Sequence, residues 1–332
     1  MYEIIVNPAS KSGKGLKIWL QVEQVLRERE IPFHVQLSRK VGDITKFSAA
    51  LVAGISGDAD SAPQKLIILG GDGTMNEVLQ GIASVPDGFE RVQIGYLPTG
   101  SSNDFARDFH FPSDTLSLLD QILNCERPHL ADIGCLTYAN TADFSRIYTP
   151  DLTQIKRYFD VSAGIGFDAA VCEEALSSSS KNLLNKLGLG KLTYLVIALR
   201  QLIKARKISC DLTIDENTKI HLDKFLFVAG MIHQYEGGGF MFCPGASDTD
   251  GLLDICVAGN ISKLLILLAL PTAFVGKHYM FHGIDKYLAT TIRIQTSAPL
   301  WVHTDGEVHI KSSDITMTCE SKKLQLLISH DL

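Results

Sequence analysis

The residues best placed to do chemistry lie in Leu66-Ile67-Ile68-Leu69-Gly70-Gly71-Asp72-Gly73-Thr74-Met75-Asn76-Glu77-Val78. Three glycines around one aspartate let the backbone approach a ligand closely and present its N–H groups. A helix starting there aims its positive end at the same place, which suits a phosphate. Asp72 alone would repel an anion, so it makes sense as a ligand of a divalent cation or as a group orienting an acceptor hydroxyl. Read blandly, the string is a glycine-rich strand-to-helix turn with Asp72 as the helix cap. Ser10-Lys11-Ser12-Gly13-Lys14-Gly15 is a small, basic loop after Asn7-Pro8, but it lacks the G-x-x-x-x-G-K-[ST] spacing of a P-loop. Leu97 to Arg107 contains Thr99-Gly100-Ser101-Ser102-Asn103-Asp104, in which Asn103 would cap a helix and Ser101 or Ser102 would face a nucleotide. His303-Thr304-Asp305-Gly306-Glu307 reads as a hairpin turn, since Asp-Gly favours the left-handed backbone such turns need. Pro244 to Asp254 places Asp248, Asp250 and Asp254 around Gly251, either a solvated loop or a hard-cation site built from oxygen donors.

Elements that would position these groups follow from periodicity. Tyr2–Val6, Phe33–Leu37, Leu66–Leu69 and Val92–Leu97 read as short buried strands. Between them Leu16–Leu26, Thr45–Ala53 and Met75–Ile82 carry helical spacing. Alternation with short connections predicts an open, mostly parallel α/β sheet over residues 1–130. From Ala131 the texture changes to β-rich runs, Tyr158–Ala163, Ile208–Ile214, Phe225–Met231, Leu253–Val257, Thr291–Thr296 and Leu300–His303. Helical stretches near 182–206 and 262–276 interrupt them. The expectation is an α/β chain whose second domain, 131–312, is an antiparallel sandwich, with 313–332 rejoining the first. Residues 137–154 read as a polar surface insertion.

Composition excludes several classes. The 332 residues include 31 Lys and Arg against 37 Asp and Glu, a net charge of -6 without a basic tract, so a nucleic-acid partner is not expected. Seven cysteines without a C-x-x-C pair fit reduced, mostly buried thiols and a cytoplasmic protein. The start MYEIIVNPAS is no signal peptide. The longest apolar run, Leu264 to Gly276, is closed by Lys263 and Lys277 and broken by Pro271. It is shorter than the ~20 residues that span a bilayer. His278 and His282 lack a third ligand, and the Met and Phe residues at 240–242 suit a core or pocket wall.

Taken in order, Asn7-Pro8, the strings 70–78 and 97–107, Ala163-Gly164-Ile165-Gly166-Phe167-Asp168-Ala169, the string 244–254 and Asp305-Gly306-Glu307 resemble the diacylglycerol kinase catalytic-domain family. These are bacterial-type lipid kinases related to sphingosine kinases, and the resemblance covers nearly the whole chain. It implies a two-domain enzyme with ATP in the cleft between domains and a second, lipid-substrate domain. It also implies nucleotide contacts from Asn7, Pro8, Ala9, Ser10, Lys11, Ser38, Gly70, Gly71, Asp72, Gly73, Thr74, Met75, Asn76 and Ser101. Asp72 would lie near the transferring phosphate, Glu307 would act as general base for the lipid hydroxyl, and Asp305 joins them as a catalytic candidate. A structural Mg²⁺ would be held by Asp250 with the carbonyls of Ser247 and Leu252. Departures from the family pattern are Ser101 and Ser38 where threonine is usual, Gly230-Met231-Ile232-His233 in place of Gly-Asn-Gly, and the 137–154 insertion.

Diacylglycerol is the default acceptor implied, with phosphatidylglycerol, a sphingoid base or NAD as alternatives, and a nucleotide-binding regulatory module as the non-catalytic one. A cytoplasmic enzyme acting on a membrane lipid must touch the bilayer surface transiently. Lys186–Lys207, with Lys186, Lys191, Arg200, Lys204, Arg206 and Lys207 among Leu187, Leu192, Tyr194, Leu195 and Leu199, is either an amphipathic membrane-surface helix or a core-packed helix with a solvated basic edge. The sequence leaves a homodimer open.

Overall fold

The structure is a computed structural model that describes residues 1–55, 62–112, 114–141, 155–177, 190–205 and 208–328. The contacts divide it into two compact units, Met1–Ile133 with Ser321–Leu332, and Gly134–Glu320.

In the first unit β1 (Tyr2–Val6) leads into a short helical turn, α1 (Ser10–Gly13), and then α2 (Gly15–Glu28). Next come β2 (Phe33–Leu37), α3 (Asp43–Gly54), β3 (Gln64–Gly70), α4 (Asp72–Ala83), β4 (Val92–Pro98), α5 (Asp104–Asp108) and α6 (Thr115–Leu123). Residues 9–15, read from sequence as a loop, are therefore largely helical. Pairing is parallel throughout, β2 to β1, β1 to β3 and β3 to β4. Leu66, Ile67, Ile68 and Leu69 are each fully buried, as a parallel strand covered on both faces requires. On one face Trp19, Val22 and Leu26 of α2 and Leu118, Leu119 and Ile122 of α6 pack against Ile4, Val6, Ile67, Leu69 and Leu97. Their spacing of three or four residues is what places each set on one helix face.

In the second unit β5 (His129–Thr141), which enters from the first, pairs antiparallel with β6 (Ile155–Phe159). There follow β7 (Ser162–Gly166), α7 (Phe167–Ser177), α8 (Gly190–Lys204), β8 (Ile208–Ile214), β9 (Thr218–Met231), the short β10 (Tyr235–Glu236) and β11 (Phe240–Met241), β12 (Leu253–Gly259), α9 (Lys263–Ala269), β13 (Ile284–Ala289), β14 (Thr291–Thr304) and β15 (Glu307–Leu326). The end of β15 returns to the first unit, where Leu326 pairs parallel with Ile94 of β4.

Two long strands make the sandwich. β9 pairs with β8 over its first half and with β7 over its second. β14 does the same, with β8 at Ile292–Thr296 and with β7 at Val302–Thr304, and its register shifts between those stretches. Strands that change partner part-way are how two packed sheets share a corner. The core between them is Ile165, Leu212, Val228, Ile255, Ile294, Val302 and Ile315 with their neighbours. The sequence runs at 291–296 and 300–303 thus belong to one strand. The run Tyr158–Ala163, read as continuous, breaks at Asp160-Val161 because the backbone N–H groups there are taken by a side chain, described below. All seven cysteines are free, five of them buried. No helix among the described residues is long and apolar enough to cross a membrane.

Candidate active site

Parallel register places the carboxyl ends of four strands in one row. Val6 pairs with Leu37 and Leu69, and Gly70 pairs with Pro98. The residue following each strand, Asn7, Ser38, Gly71 and Thr99, therefore lines one edge, where open α/β sheets bind ligands. The Asn7 N–H donates to the Leu69 carbonyl at 2.9 Å, that of Ser38 to Val6 at 2.9 Å and that of Thr99 to Gly70 at 2.6 Å. Every expected nucleotide residue, from Asn7 to Lys11, Ser38, Gly70 to Asn76 and Ser101, lies in the segments leaving this edge.

Side chains knit those segments together. Asn7 Nδ2 donates to Thr74 Oγ1 at 3.0 Å, while its Oδ1 accepts the Ala9 N–H at 3.1 Å. Ser10 Oγ donates to the Asn7 carbonyl at 2.9 Å and lies 2.7 Å from Thr99 Oγ1. Thr99 is fully buried and ties the first loop to the fourth strand. It lies inside the 97–107 string, yet only its contact across 89 residues marks it. The loops after β3 and β4 meet backbone to backbone: a Cβ on Gly71 would sit 2.8 Å from Gly100 Cα. Glycine is required at that close approach rather than for its torsions.

Gly71, not Asp72, caps α4, and Asp72 is the helix's first residue. There a carboxylate complements the helix dipole, and the unused N–H groups of the first turn are anion donors. Asn103 stands at the N-cap position of α5, as expected, but its side chain does not bond the helix. Its Oδ1 accepts the Gly100 N–H at 2.7 Å instead of a helix N–H, so it shapes the loop.

In the second unit Asp305 and Gly306 form the turn between β14 and β15, with φ of 50° and 77° and Thr304 paired to Glu307. Two successive positive φ values are what Asp-Gly supplies in a tight hairpin. The Asp305 carboxylate accepts the N–H groups of Asp160, Val161 and Ser162 at 3.2, 2.9 and 3.0 Å, and its own N–H donates to the Ser162 carbonyl at 2.8 Å. The Val161 carbonyl accepts from Ile232 at 2.9 Å, so the unusual Gly230–His233 segment braces the same connection. Asp305, expected among the catalytic groups, is thus filled with backbone hydrogen bonds and acts as the anchor of the turn that carries Glu307. Asp305→Ala orphans buried donors and is expected to cost on the order of 2 kcal/mol, read as a lower midpoint in urea unfolding. Arg157, which sequence reasoning missed, is half-buried beside this turn. Burial disfavours its charge, while Tyr138, Glu307 and Asp305 offset that. Its Nε donates to Thr304 Oγ1 at 3.3 Å.

A second cluster lies behind the hairpin. His303 is fully buried, with Nε2 3.1 Å from Asp168 Oδ2 and 3.4 Å from Glu236 Oε1. Burial works against charge on the ring, but Glu236 and Asp168 prevail and raise its pKa to about 9. The Gly306 N–H, 3.3 Å from Nδ1, is the contact that favours the neutral ring. Asp168 and Glu236 also border an apolar pocket lined by Phe167, Val171, Cys172, Ala198, Phe227, Phe240, Phe242, Ile266, Ala273 and Ile284. The Phe residues near 240 form its wall. His278 is buried, with Nε2 3.0 Å from the Phe242 carbonyl, and packs as a core histidine. Asp168 sits in the 163–169 string, so its place in the chain was visible though its partners were not.

The loop before β12 turns on its own side chains. Asp250 Oδ1 accepts the Leu252 N–H at 3.0 Å, and Ser247 Oγ lies 3.1 Å from Thr249 Oγ1. Asp250 and the carbonyls of Ser247 and Leu252 offer only oxygen, the donor chemistry of a hard divalent cation. Asp254 is separate, buried and 2.5 Å from Lys286 Nζ.

Of the expected basic stretch, Lys186, Leu187, Arg206 and Lys207 fall outside the described residues, as do 142–154 of the expected insertion. In α8, Ala198 and Leu202 enter the core, and Arg200 and Lys204 pair with Glu174 at 2.7 and 3.7 Å. Among the described side chains of α8, Ala198 and Leu202 are thus core-packed while Arg200 and Lys204 are paired at its exposed side.

A parallel α/β unit with a Gly-Gly-Asp-Gly turn at its carboxyl edge, and an antiparallel sandwich carrying Asp-Gly-Glu on a hairpin, define the class of two-domain phosphotransferases. Residues 2–135 match the diacylglycerol kinase catalytic domain, and residues 161–328 match the YegS C-terminal NAD kinase beta sandwich-like domain. The chain belongs to the diacylglycerol kinase catalytic-domain family and is a lipid kinase. It is 28% identical over 314 residues to the "Putative lipid kinase YtlR" of Bacillus subtilis, covering 92% of each chain. It is 27% identical over 303 residues to a diacylglycerol kinase of Mycobacterium tuberculosis, covering 91% of this chain and 87% of that one. A solved diacylglycerol kinase structure from Bacillus anthracis shares the fold, with a TM-score of 0.70 at 21% identity over 99% of this chain and 97% of that one.

Proposed function

We propose that this enzyme transfers the γ-phosphate of ATP to the hydroxyl of a membrane lipid, with diacylglycerol the first acceptor to test. The observation that carries the nucleotide half is the row formed by Asn7, Ser38, Gly71 and Thr99 at the sheet's carboxyl edge, with α4 opening on Asp72. Backbone N–H groups of the Gly70 to Gly73 turn bind phosphate oxygens beside Thr74, Asn7 through Lys11 and Ser38 flank the nucleotide, and Ser101 contacts it from the loop after β4. Met75 and Asn76 continue that surface into the helix. The apolar pocket supports the lipid half, because an acyl chain gains from leaving water where NAD would not. Glu307, held by the Asp305 turn, takes the hydroxyl proton as it attacks.

The test combines purified protein, Mg²⁺, γ-labelled ATP and a mixed-lipid extract in micelles, followed by organic extraction. Label in the organic phase supports the reading, and chromatography names the acceptor. Label on NAD or another soluble alcohol alone would overturn the lipid half.

Mg²⁺ is proposed at Asp250 with the carbonyls of Ser247 and Leu252, as a structural ion that fixes the loop leading into β12. Millimolar Mg²⁺ is expected to raise the thermal midpoint of the native protein by a few degrees and to leave Asp250→Ala unmoved. An equal rise in both would remove the site.

A further inference from the structure

The helix that walls the apolar pocket has an outer face that no described residue covers. Ile266 and Ala269 of α9, with Ala273 beyond it, are buried toward the pocket. Leu264, Leu268, Val275 and Met280 point the other way and are 67%, 55%, 61% and 74% exposed. Of the seventeen large hydrophobic side chains exposed among the described residues, seven fall within 264–280. Ile203, 78% exposed, adjoins them, since Lys263 Nζ donates to its carbonyl at 2.7 Å. Scattered single apolar residues are ordinary, whereas a contiguous patch marks a surface with a partner.

The charge around the patch says which partner. From Ile261 to Ile284 there is no Asp or Glu, while Lys263 and Lys277 stand exposed at its two ends. Leucines between exposed cations are the pattern that lies in a bilayer interface, the apolar face among acyl chains and the lysines among anionic headgroups. A second copy of this chain fits less well, because a two-fold contact on this patch brings lysines together with no acid inside it to answer them.

We propose that the outer face of α9 and the turns after it, Leu264, Leu268, Val275 and Met280 between Lys263 and Lys277, form the surface by which the enzyme docks on an anionic membrane. The wall between bilayer and pocket is then a single short helix whose inner residues line the pocket, so a lipid can pass from the membrane to the site without crossing water. The docking rests on the lipid-kinase reading only in that a membrane acceptor gives it a purpose. Its first readout needs no catalysis.

The full-length protein is sedimented with phosphatidylglycerol-containing vesicles and with phosphatidylcholine vesicles. Native protein is expected to favour the former. Leu264→Glu with Leu268→Glu is expected to lower partitioning at least tenfold, and Lys263→Glu with Lys277→Glu to remove the anionic preference at roughly fivefold per lysine. Both double variants should keep the native melting temperature and the native rate on a short-chain diacylglycerol dissolved as monomers, and lose rate on vesicle-borne substrate in step with binding. Native protein that does not sediment, or a leucine variant that binds as the native protein does, would overturn the docking. A native dimer in light scattering that the leucine variant turns into a monomer, with no vesicle binding by either, would assign the patch to a second copy. Loss of vesicle binding in the variant, with neither substrate phosphorylated by native protein, would keep the docking and sink the lipid-kinase reading.

Discussion

Asp72→Ala is expected to lower turnover of the lipid-labelling reaction at least about 100-fold while leaving the protein folded. The reasoning is positional. Asp72 is the first residue of α4, after a loop whose shape is set by Gly71 against Gly100 and by Asn7 bonded to Thr74. Those contacts are made by other residues and remain in the variant. What disappears is the carboxylate at the helix end that, on the proposed reading, meets the transferring phosphate and its cation. Asp72→Asn separates charge from size: if charge matters, it should fall nearly as far as Ala. Melting temperatures within a few degrees of native certify the fold. Native turnover in Asp72→Ala would show that the phosphate is handled elsewhere.

Glu307→Gln is expected to have an effect of similar size, at least about 100-fold on kcat with little change in KM for ATP. The turn is fixed by Asp305 through three backbone N–H groups and by Gly306 through its positive φ, so glutamine at 307 leaves the hairpin in place. What is lost is the capacity to accept a proton, together with the negative charge that faces Arg157. Comparison with Asp305→Ala divides the roles. Both variants should lose rate, and the Asp305 variant, which also orphans three backbone N–H groups, should lose more stability than the Glu307 variant. If Glu307→Gln ran at the native rate, the base would have to be sought elsewhere, with Asp168 at the pocket edge the next candidate.

Much of this architecture is local and therefore readable. Leu66–Leu69 is a continuous apolar run bounded by glycine, and such a run can only be a buried strand entering a turn. Asp305-Gly306 forms the expected hairpin because few other pairs tolerate two positive φ values. Helices were visible where apolar residues recur every three or four positions. Misreadings arose where a distant group overrode the local pattern. The run Tyr158–Ala163 has strand composition throughout, yet its middle N–H groups point at a carboxylate more than 140 residues later. β9 begins at Thr218, ahead of the expected run Phe225–Met231, because exposed alternate side chains are what the outer face of a sheet carries.

The sequence by itself determined the class, because each phosphate-handling or turn-forming motif is a short string whose backbone conformation follows from its own glycines and carboxylates. Tertiary structure alone decided which of those groups meet. It joins Ser10 to Thr99, sets His303 between Asp168 and Glu236, and fills Asp305 with N–H groups on the turn that carries Glu307. It also decided which leucines of 264–270 face inward. Leu264, Leu265, Leu267 and Leu268 are alike in type, and only packing against the sandwich shows that they, unlike Ile266, are left to solvent. Motifs encode backbone shape locally, but burial and pairing are properties of contacts between residues far apart in the chain, and those exist only once the chain has folded.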